Sequence, residues 1–320
     1  MNAPLLEIRD LKVGFPIATG MALAVRGVSL DVMPGEAVGL VGESGSGKSV
    51  TALAAMRLVA PPGRILGGSI RLGGDDILAM SEGALRALRG RRMAMVFQDP
   101  LTSLNPAFTI GQQLIDTVNA HRACTRKQAR AEAVEALAMV GIPAPERRLD
   151  SYPHEFSGGM RQRALIAMAI ACRPQLLIAD EPTTALDVTI QAQVIALLRR
   201  LARDLNLAVL FISHNLDLVA ELCDRVVVMY GGMVMEAAPA EVLFGQPKHP
   251  YTRLLQNCIP RLDDRAERLS SIDGAPPVLG QMAPGCPFAA RCPDVEARCR
   301  VAGPPARLLD GHLVACWVAT

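Results

Sequence analysis

Residues 42–49 read Gly42-Glu43-Ser44-Gly45-Ser46-Gly47-Lys48-Ser49 and satisfy the P-loop pattern G-x-x-x-x-G-K-[ST] at every fixed position. An apolar strand candidate, Ala37-Val38-Gly39-Leu40-Val41, feeds this loop, and a helix-compatible run from Val50 to Met56 leaves it. Phosphate chemistry needs such a composition: glycines let consecutive backbone N–H groups turn inward, and the following helix aims its positive end at the same anion. Lys48 can then reach β- and γ-phosphates, and the Ser49 hydroxyl can ligate Mg²⁺. A glycine loop that matched by accident would not be framed by a strand before and a helix after.

Composition narrows the remaining choices. A chain of 320 residues holds one large domain with a small appendage, or two modest domains, and a 50% share of hydrophobic residues supports a sizeable core. A net charge of +2 with 20% charged residues gives no reason to expect a polyanion-binding surface. Runs such as Ala164 to Cys172 and Leu205 to Ile212 are too short to cross a bilayer and fit buried elements instead. The segment Met1 to Asp10 lacks a basic stretch followed by a long apolar one, so no secretory signal is expected. The expected compartment is therefore the reducing cytosol, where eight cysteines call for something other than disulfides.

Before the loop, Leu5 to Val13 partly alternates apolar with polar residues and Ala24 to Val32 alternates more clearly, which predicts two strands. Phe15 lies between them, one of only eleven aromatic residues; stacking on a nucleotide base and simple core packing are both open to it. After the loop, Pro61-Pro62-Gly63 breaks the chain and Gly67 to Gly74 reads as a short strand between turns. Met93 to Phe97 predicts a buried strand ending at Gln98, whose carboxamide could contact Mg²⁺ or water near the phosphates or merely cap the strand. Leu101 to Pro106 is a loop by its Asn and Pro.

Thr125 to Val140 is helical, with Gly141 as its stop, and the stretch from about Leu85 to Cys172 has the look of an inserted helical subdomain. Within it, Ser157-Gly158-Gly159 opens an apolar helix: Ser157 is a good N-cap, and two glycines expose N–H groups at a positive helix end. Gln175 to Asp180 predicts a buried strand ending in two carboxylates, Asp180 and Glu181. Because side chains alternate along a strand, one can hold Mg²⁺ while its neighbour faces water. The loop Thr183-Thr184-Ala185-Leu186-Asp187 precedes a helix with a core stripe at Ile190, Val194, Leu197, Leu198 and Leu201. Ala208 to Ser213 is another buried strand with His214 at its polar end. A parallel α/β topology would bring the P-loop, Gln98, Asp180, Glu181 and His214 to the carboxyl edge of one sheet. Beyond the turn Gly231-Gly232, prolines from Pro239 through Pro260 to Pro287 mark a loop-rich tail, and the boundary is placed near Gly245.

Over about residues 5 to 245, the ordered set of P-loop, Gln98, Ser157-Gly158-Gly159, Asp180-Glu181, Ala185-Leu186-Asp187 and His214 resembles the nucleotide-binding subunit of ATP-binding cassette transporters. The resemblance implies an α/β fold with a mixed-sheet core, an N-terminal antiparallel β subdomain and a helical subdomain at about residues 85–172. A cassette at 1–245 would be followed by a small Cys-rich extension at 246–320. It further implies a head-to-tail dimer with a second such subunit, identical or paralogous, in which ATP is sandwiched between one P-loop and the partner's Ser157 segment. Gly42 through Val50, Phe15, Ser157, Gly158, Gly159 and Asp187 would line the nucleotide. Ser49, Gln98 and Asp180 would organise Mg²⁺, His214 would contact the γ-phosphate, and Glu181 would orient or deprotonate the attacking water. Met160 departs from the Gln most often found after the two glycines, with little expected effect.

Three further stretches narrow the match: Gln98 to Pro106, His249-Pro250-Tyr251-Thr252-Arg253-Leu254-Leu255, and the cysteine-rich tail look like the dipeptide and oligopeptide import ATPases of bacteria. That family implies two transmembrane permease subunits, an extracytoplasmic substrate-binding protein, and a peripheral position on the cytoplasmic face of the inner membrane. Cys286, Cys292, Cys299 and Cys316 contain no Cys-x-x-Cys pair, so a zinc ribbon is not indicated. Cys₄ ligation is nonetheless usual for iron–sulfur centres, and the resemblance implies a [4Fe-4S] cluster, with Zn²⁺, assisted by His312, or unligated thiols as alternatives. Other cargoes, such as glutathione or nickel complexes, stay open. A soluble ATPase acting on ribosomes or DNA is disfavoured by the single cassette and the low net charge, so no nucleic-acid partner is expected.

Overall fold

The fold is given by a computed structural model that describes residues 3–184, 186–258, 272–282 and 284–320, with the backbone alone for Pro100 and Leu101. Ala185 and Pro260, both named above, lie outside the described residues. The first part of the chain forms β1 (Leu6–Ile17), β2 (Gly20–Val32), β3 (Ala37–Val41), α1 (Lys48–Ala55), β4 (Arg64–Leu72), β5 (Asp75–Asp76), α2 (Glu82–Leu88) and β6 (Met93–Val96). Helices α3 (Pro100–Ser103), α4 (Ile110–His121), α5 (Arg126–Met139), α6 (Pro145–Arg148) and α7 (Gly158–Ile170) follow. Alternation resumes with β7 (Leu176–Asp180), α8 (Val188–Asp204), β8 (Ala208–Ser213), α9 (Leu216–Leu222), β9 (Arg225–Tyr230), β10 (Met233–Pro239), α10 (Ala240–Gly245) and α11 (Pro250–Asn257). The C-terminal part adds α12 (Ala297–Val301), β11 (Ala306–Leu309) and β12 (His312–Ala315).

Two sheets result. One is antiparallel in the order β2-β1-β4-β5; the other has eight strands in the order β11-β12-β10-β9-β3-β8-β7-β6. From β9 to β6 neighbouring strands are parallel, whereas β10, β12 and β11 join antiparallel, which makes the larger sheet mixed. The first strand runs four residues past the Val13 end read from the sequence, because Phe15 and Ile17 pair across a hairpin with Ala22 and Gly20.

Apart from polar residues at their ends, the parallel strands are apolar because both faces are covered. On β3, Val38 and Leu40 face the antiparallel sheet and α1, whereas Ala37 and Val41 face the helices. The same alternation splits β7 and β8: Leu176, Ile178, Leu210 and Ile212 go one way, Leu177, Ala179, Val209 and Phe211 the other. Gly39 has no room for a side chain, since an added Cβ would stand 2.5 Å from Val219 Cγ1, so α9 packs directly on β3.

Within residues 85–172 the strand β6 belongs to the main sheet, paired with β7, and the helical layer proper runs from α3 to α7. Its helices start where hydroxyl residues satisfy their first amides: Thr109 accepts from the N–H of Gln112, Thr125 forms a capping box with Gln128, and Ser157 accepts from Met160. They bury Leu114, Val118, Ala133, Leu137 and Ile166 against one another.

The C-terminal segment continues the large sheet instead of standing apart. β12 pairs with β10 at Glu236↔Val314 and Ala237↔Leu313. Fully buried Glu236 has its Oε1 2.7 Å from Nδ1 of buried His312 and accepts the N–H groups of Lys248 and His249. Tyr230, Tyr251 and Phe288 pack as an aromatic knot with ring centroids 4.7–5.1 Å apart.

Candidate nucleotide-binding site

Parallel register brings the chemistry to one edge. Val41 pairs with Ser213, Asp180 with Ile212, and Val96 with Ala179, so β3, β8, β7 and β6 end side by side. Their carboxyl ends deliver the 42–47 loop, Ser213-His214, Asp180-Glu181 and Gln98 to that edge, as the topology requires. A cavity of about 1000 Å³ between Arg91, Arg92, Arg122 and Arg173 lies at the opposite, amino end of β6 and β7 and contains none of these residues.

The loop closes by backbone conformations that glycine adopts readily. Gly42, Gly45 and Gly47 have φ of 147°, 79° and 99°. An added Cβ on Gly42 would lie 2.1 Å from the Met229 carbonyl oxygen. Ser44 and Gly45 are exposed at the loop's crest, and Val50 is half-buried against the antiparallel-sheet core. The first amides of α1 have no intrahelical acceptor and are left for an anion. Lys48, 5% exposed, donates from Nζ to the carbonyl oxygens of Gly42 at 2.7 Å and Glu43 at 3.0 Å. Burial pushes its pKa down, while the carboxylates of Glu181, Asp180 and Glu43 oppose that shift. The Ser46 hydroxyl lies 3.4 Å away as a third neutral partner, and a phosphate in the loop would offer the ammonium an anionic one.

The Ser49 hydroxyl donates to Asp180 Oδ1 at 2.9 Å. Burial raises the Asp180 pKa and the Ser49 hydrogen bond counters it. One hydroxyl and one carboxylate, adjacent and beside a phosphate cradle, form the partial oxygen set that Mg²⁺ uses when nucleotide phosphates and waters complete its shell. The residues fit the ion.

Glu181 occupies a left-handed backbone position with φ 45°, which turns its side chain off the β7 edge. Its Oε2 accepts from Gln98 Nε2 at 2.9 Å and from the Thr184 hydroxyl at 3.0 Å, and its Oε1 lies 3.4 Å from His214 Nδ1. Gln98 therefore contacts Glu181 and not the Ser49–Asp180 pair with which the sequence grouped it. Ser157 and Gly158 are exposed at the start of α7, with the Ser157 hydroxyl accepting from Met160 N–H at 3.3 Å; Gly159 is buried against Ile190. Asp187 caps α8 by accepting from Ile190 N–H at 3.0 Å. Phe15 is half-buried within β1, its ring against Gly63.

The [4Fe-4S] expectation finds no support. Cys286 and Cys292 are close enough to Cys299 and Cys316 for the thiols to influence one another, but burial is the larger effect and pushes Cys286 up to about 11. Among the described residues no three His, Cys, Asp or Glu side chains are arranged to hold a metal ion. His312 turns its Nδ1 to the Glu236 carboxylate at 2.7 Å.

Three contacts at the site escaped the sequence reading: Thr184 on Glu181, the Tyr251 hydroxyl on the Glu43 N–H at 2.9 Å, and Arg291 on the Glu43 carboxylate. Neither tyrosine hydroxyls nor arginines advertise such partners, and the last contact spans 248 residues.

A phosphate loop at the edge of a mixed sheet, a hydroxyl–carboxylate pair beside its lysine and a second glycine-rich helix start together define a P-loop nucleotide cassette. Residues 25–184 match the model of the ABC transporter family, residues 235–299 match that of the oligopeptide/dipeptide transporter C-terminal region, and the chain belongs to the ABC transporter ATP-binding family. It is an ATPase of that family. It is 49% identical over 98% of its length to a probable peptide ABC transporter ATP-binding protein of Sinorhizobium fredii, covering 94% of that protein. The oligopeptide transport ATP-binding protein OppD of Escherichia coli is 48% identical (98% and 93% covered), and the dipeptide transport ATP-binding protein DppD of Bacillus subtilis is 46% identical (98% and 94%). Among solved structures, a dimeric ATP-binding cassette bound to ADP and Pi shares the fold at TM-score 0.65 and 24% identity, covering 73% of this chain and 98% of that one. A cassette from Clostridium perfringens, part of an ABC transporter complex, aligns at TM-score 0.65 and 25% identity, covering 77% and 92%.

Proposed function

We propose that this chain is the ATP-hydrolysing subunit of an importer that takes up dipeptides or oligopeptides through partner permeases. The observation that carries this reading is the end-to-end likeness, at 46–49% identity, to proteins named for peptide transport, together with the matched oligopeptide/dipeptide C-terminal region. In this account the cassette spans residues 1–245 and the extension 246–320. No helix among the described residues is long and apolar enough to cross a membrane, so two permease subunits would supply the channel. The protein would sit peripherally on the cytoplasmic face of the inner membrane, with an extracytoplasmic protein delivering substrate.

Phosphoryl transfer is mostly positioning and charge stabilisation, and the residues divide that work. Lys48 and the loop amides hold the β- and γ-phosphates. Ser49 and Asp180 would hold Mg²⁺, which would supply positive charge against that developing on the phosphate oxygens. Glu181 accepts a proton from, or aligns, the attacking water. Gln98, Thr184 and His214 fix the direction of its carboxylate. Exposed Ser157 and Gly158 offer hydroxyl and N–H groups to the γ-phosphate held by a second, oppositely facing subunit, so hydrolysis depends on the dimer. Reconstitution with the permeases in liposomes tests the whole reading: ATP turnover stimulated by di- or oligopeptides and their delivering protein is expected. Turnover unchanged by any peptide would refute it.

A further inference from the structure

Glu43, the first variable residue of the phosphate loop, is held from the far end of the chain. Its carboxylate receives both terminal nitrogens of Arg291, at 2.6 Å to Oε2 and 3.1 Å to Oε1. The Arg291 side chain is 5% exposed and that of Glu43 23%. Arg291 is itself fixed on other sides, donating to the Tyr230 hydroxyl at 3.1 Å and to the carbonyl oxygens of Ile272 and Asp273 at 2.9 Å each. The Glu43 N–H is taken by the Tyr251 hydroxyl, and Tyr251 is anchored in the aromatic knot with Tyr230 and Phe288. A second grip comes from the turn after β9: the Gly232 N–H donates to the Ser46 carbonyl at 3.0 Å, and an added Cβ on Gly231 would lie 2.7 Å from Pro287 of the extension.

A bidentate, largely desolvated pair fixes geometry and is costly to halve, because the survivor is an uncompensated charge. A loop with three glycines at positive φ has, conversely, much conformational freedom to lose when a nucleotide binds. Anchoring the loop beforehand removes part of that cost from binding. We propose that Arg291 is a positioning residue for nucleotide binding: through Glu43, and with the Tyr251 hydroxyl, the C-terminal extension presets the phosphate loop and so sets the affinity for ATP. The extension thereby works on the nucleotide site of its own cassette. This rests on the reading of residues 42–49 as a nucleotide cradle.

The test uses the full-length protein and MgATP. Arg291→Ala, Glu43→Gln, Tyr251→Phe, Arg291→Lys and the double variant Arg291→Ala/Glu43→Gln are compared for ATP Kd, KM, kcat and thermal unfolding. Arg291→Ala and Glu43→Gln are each expected to weaken ATP binding about tenfold, which corresponds to ~1.4 kcal/mol. KM should move more than kcat, the double variant should bind no more weakly than the weaker single one, and Arg291→Lys should recover part of the loss by keeping charge without the fork. Folded single variants with Kd within twofold of the unaltered protein, or penalties that add in the double variant, would overturn the proposal. If Arg291→Ala does not fold, Glu43→Gln and Tyr251→Phe carry the test by the same Kd criterion. Unaltered protein that failed to bind MgATP would overturn the cradle reading, whereas normal binding with unaffected variants overturns only the role of Arg291.

Discussion

Replacing Glu181 by glutamine preserves the shape of the side chain and removes its charge. The carboxylate is 14% exposed and makes three contacts: Gln98 at 2.9 Å and Thr184 at 3.0 Å, both on Oε2, and His214 at 3.4 Å from Oε1. The amide oxygen of a glutamine can keep the two Oε2 contacts, since both partners donate, while its NH₂ turns toward His214. Stability should therefore fall by no more than about 1 kcal/mol, the scale of one altered neutral hydrogen bond. Lys48, Ser49 and Asp180 are untouched, so ATP affinity should stay within about threefold. Hydrolysis, by contrast, loses the group proposed to orient or deprotonate the water. A positioned general base contributes roughly 10²–10⁴ in rate, which is about 2.7–5.5 kcal/mol of barrier. Phosphate release in the steady state, measured beside ATP titration on the same sample, separates the two quantities. Hydrolysis at the unaltered rate, or ATP binding weakened more than tenfold, would refute the assignment of Glu181 as the water's partner and not a structural carboxylate.

Other perturbations test other parts of the molecule. Gly42→Ala places a side chain 2.1 Å from the Met229 carbonyl at φ 147°, so it should cost at least ~2 kcal/mol and abolish nucleotide binding, read by thermal unfolding and MgATP titration. His249 accepts the Tyr251 N–H on Nδ1, and burial, helped by Arg253, pushes its pKa down to about 3, so it stays neutral in the folded state while the unfolded chain takes up a proton near pH 6.5. That group's contribution is present above pH 6.5 and is lost as pH falls toward 3, at up to ~1.4 kcal/mol per pH unit; His249→Asn should flatten the fall in stability between pH 6.5 and 5. His312→Ala would leave fully buried Glu236 without its ring partner, so a loss of about 1–3 kcal/mol and early proteolysis of the β11–β12 hairpin are expected in limited digestion.

Much of the site was legible because its residues are local to strand ends. A strand, a glycine loop and a helix are contiguous at residues 37–55, and Asp180-Glu181 and His214 each close an apolar run, so parallel pairing alone brings them together. Which contacts form inside the cluster was not legible. Gln98 turning to Glu181 and Asp187 capping α8 depend on side-chain directions that spacing does not encode. The tail was the hardest to read: its prolines and cysteines suggested an appendage, yet β12 adds to the main sheet through β10. The pairings Glu236–His312 and Glu43–Arg291 bridge 76 and 248 residues, a reach no local pattern reports. The four cysteines suggested a cluster by their number, and that expectation stays without support because, among the described residues, no three ligating side chains are arranged to hold a metal ion.

The proposed mechanism needs a nucleotide pocket finished by a second subunit, and a structure of the Glu181→Gln protein trapped with MgATP in its assembled transporter measures that directly. The γ-phosphate seated on Lys48 should lie within hydrogen-bond distance of a Ser157-type hydroxyl from the facing cassette. A triphosphate bound with no such hydroxyl near it, and Ser157 remote from every nucleotide, would contradict the account.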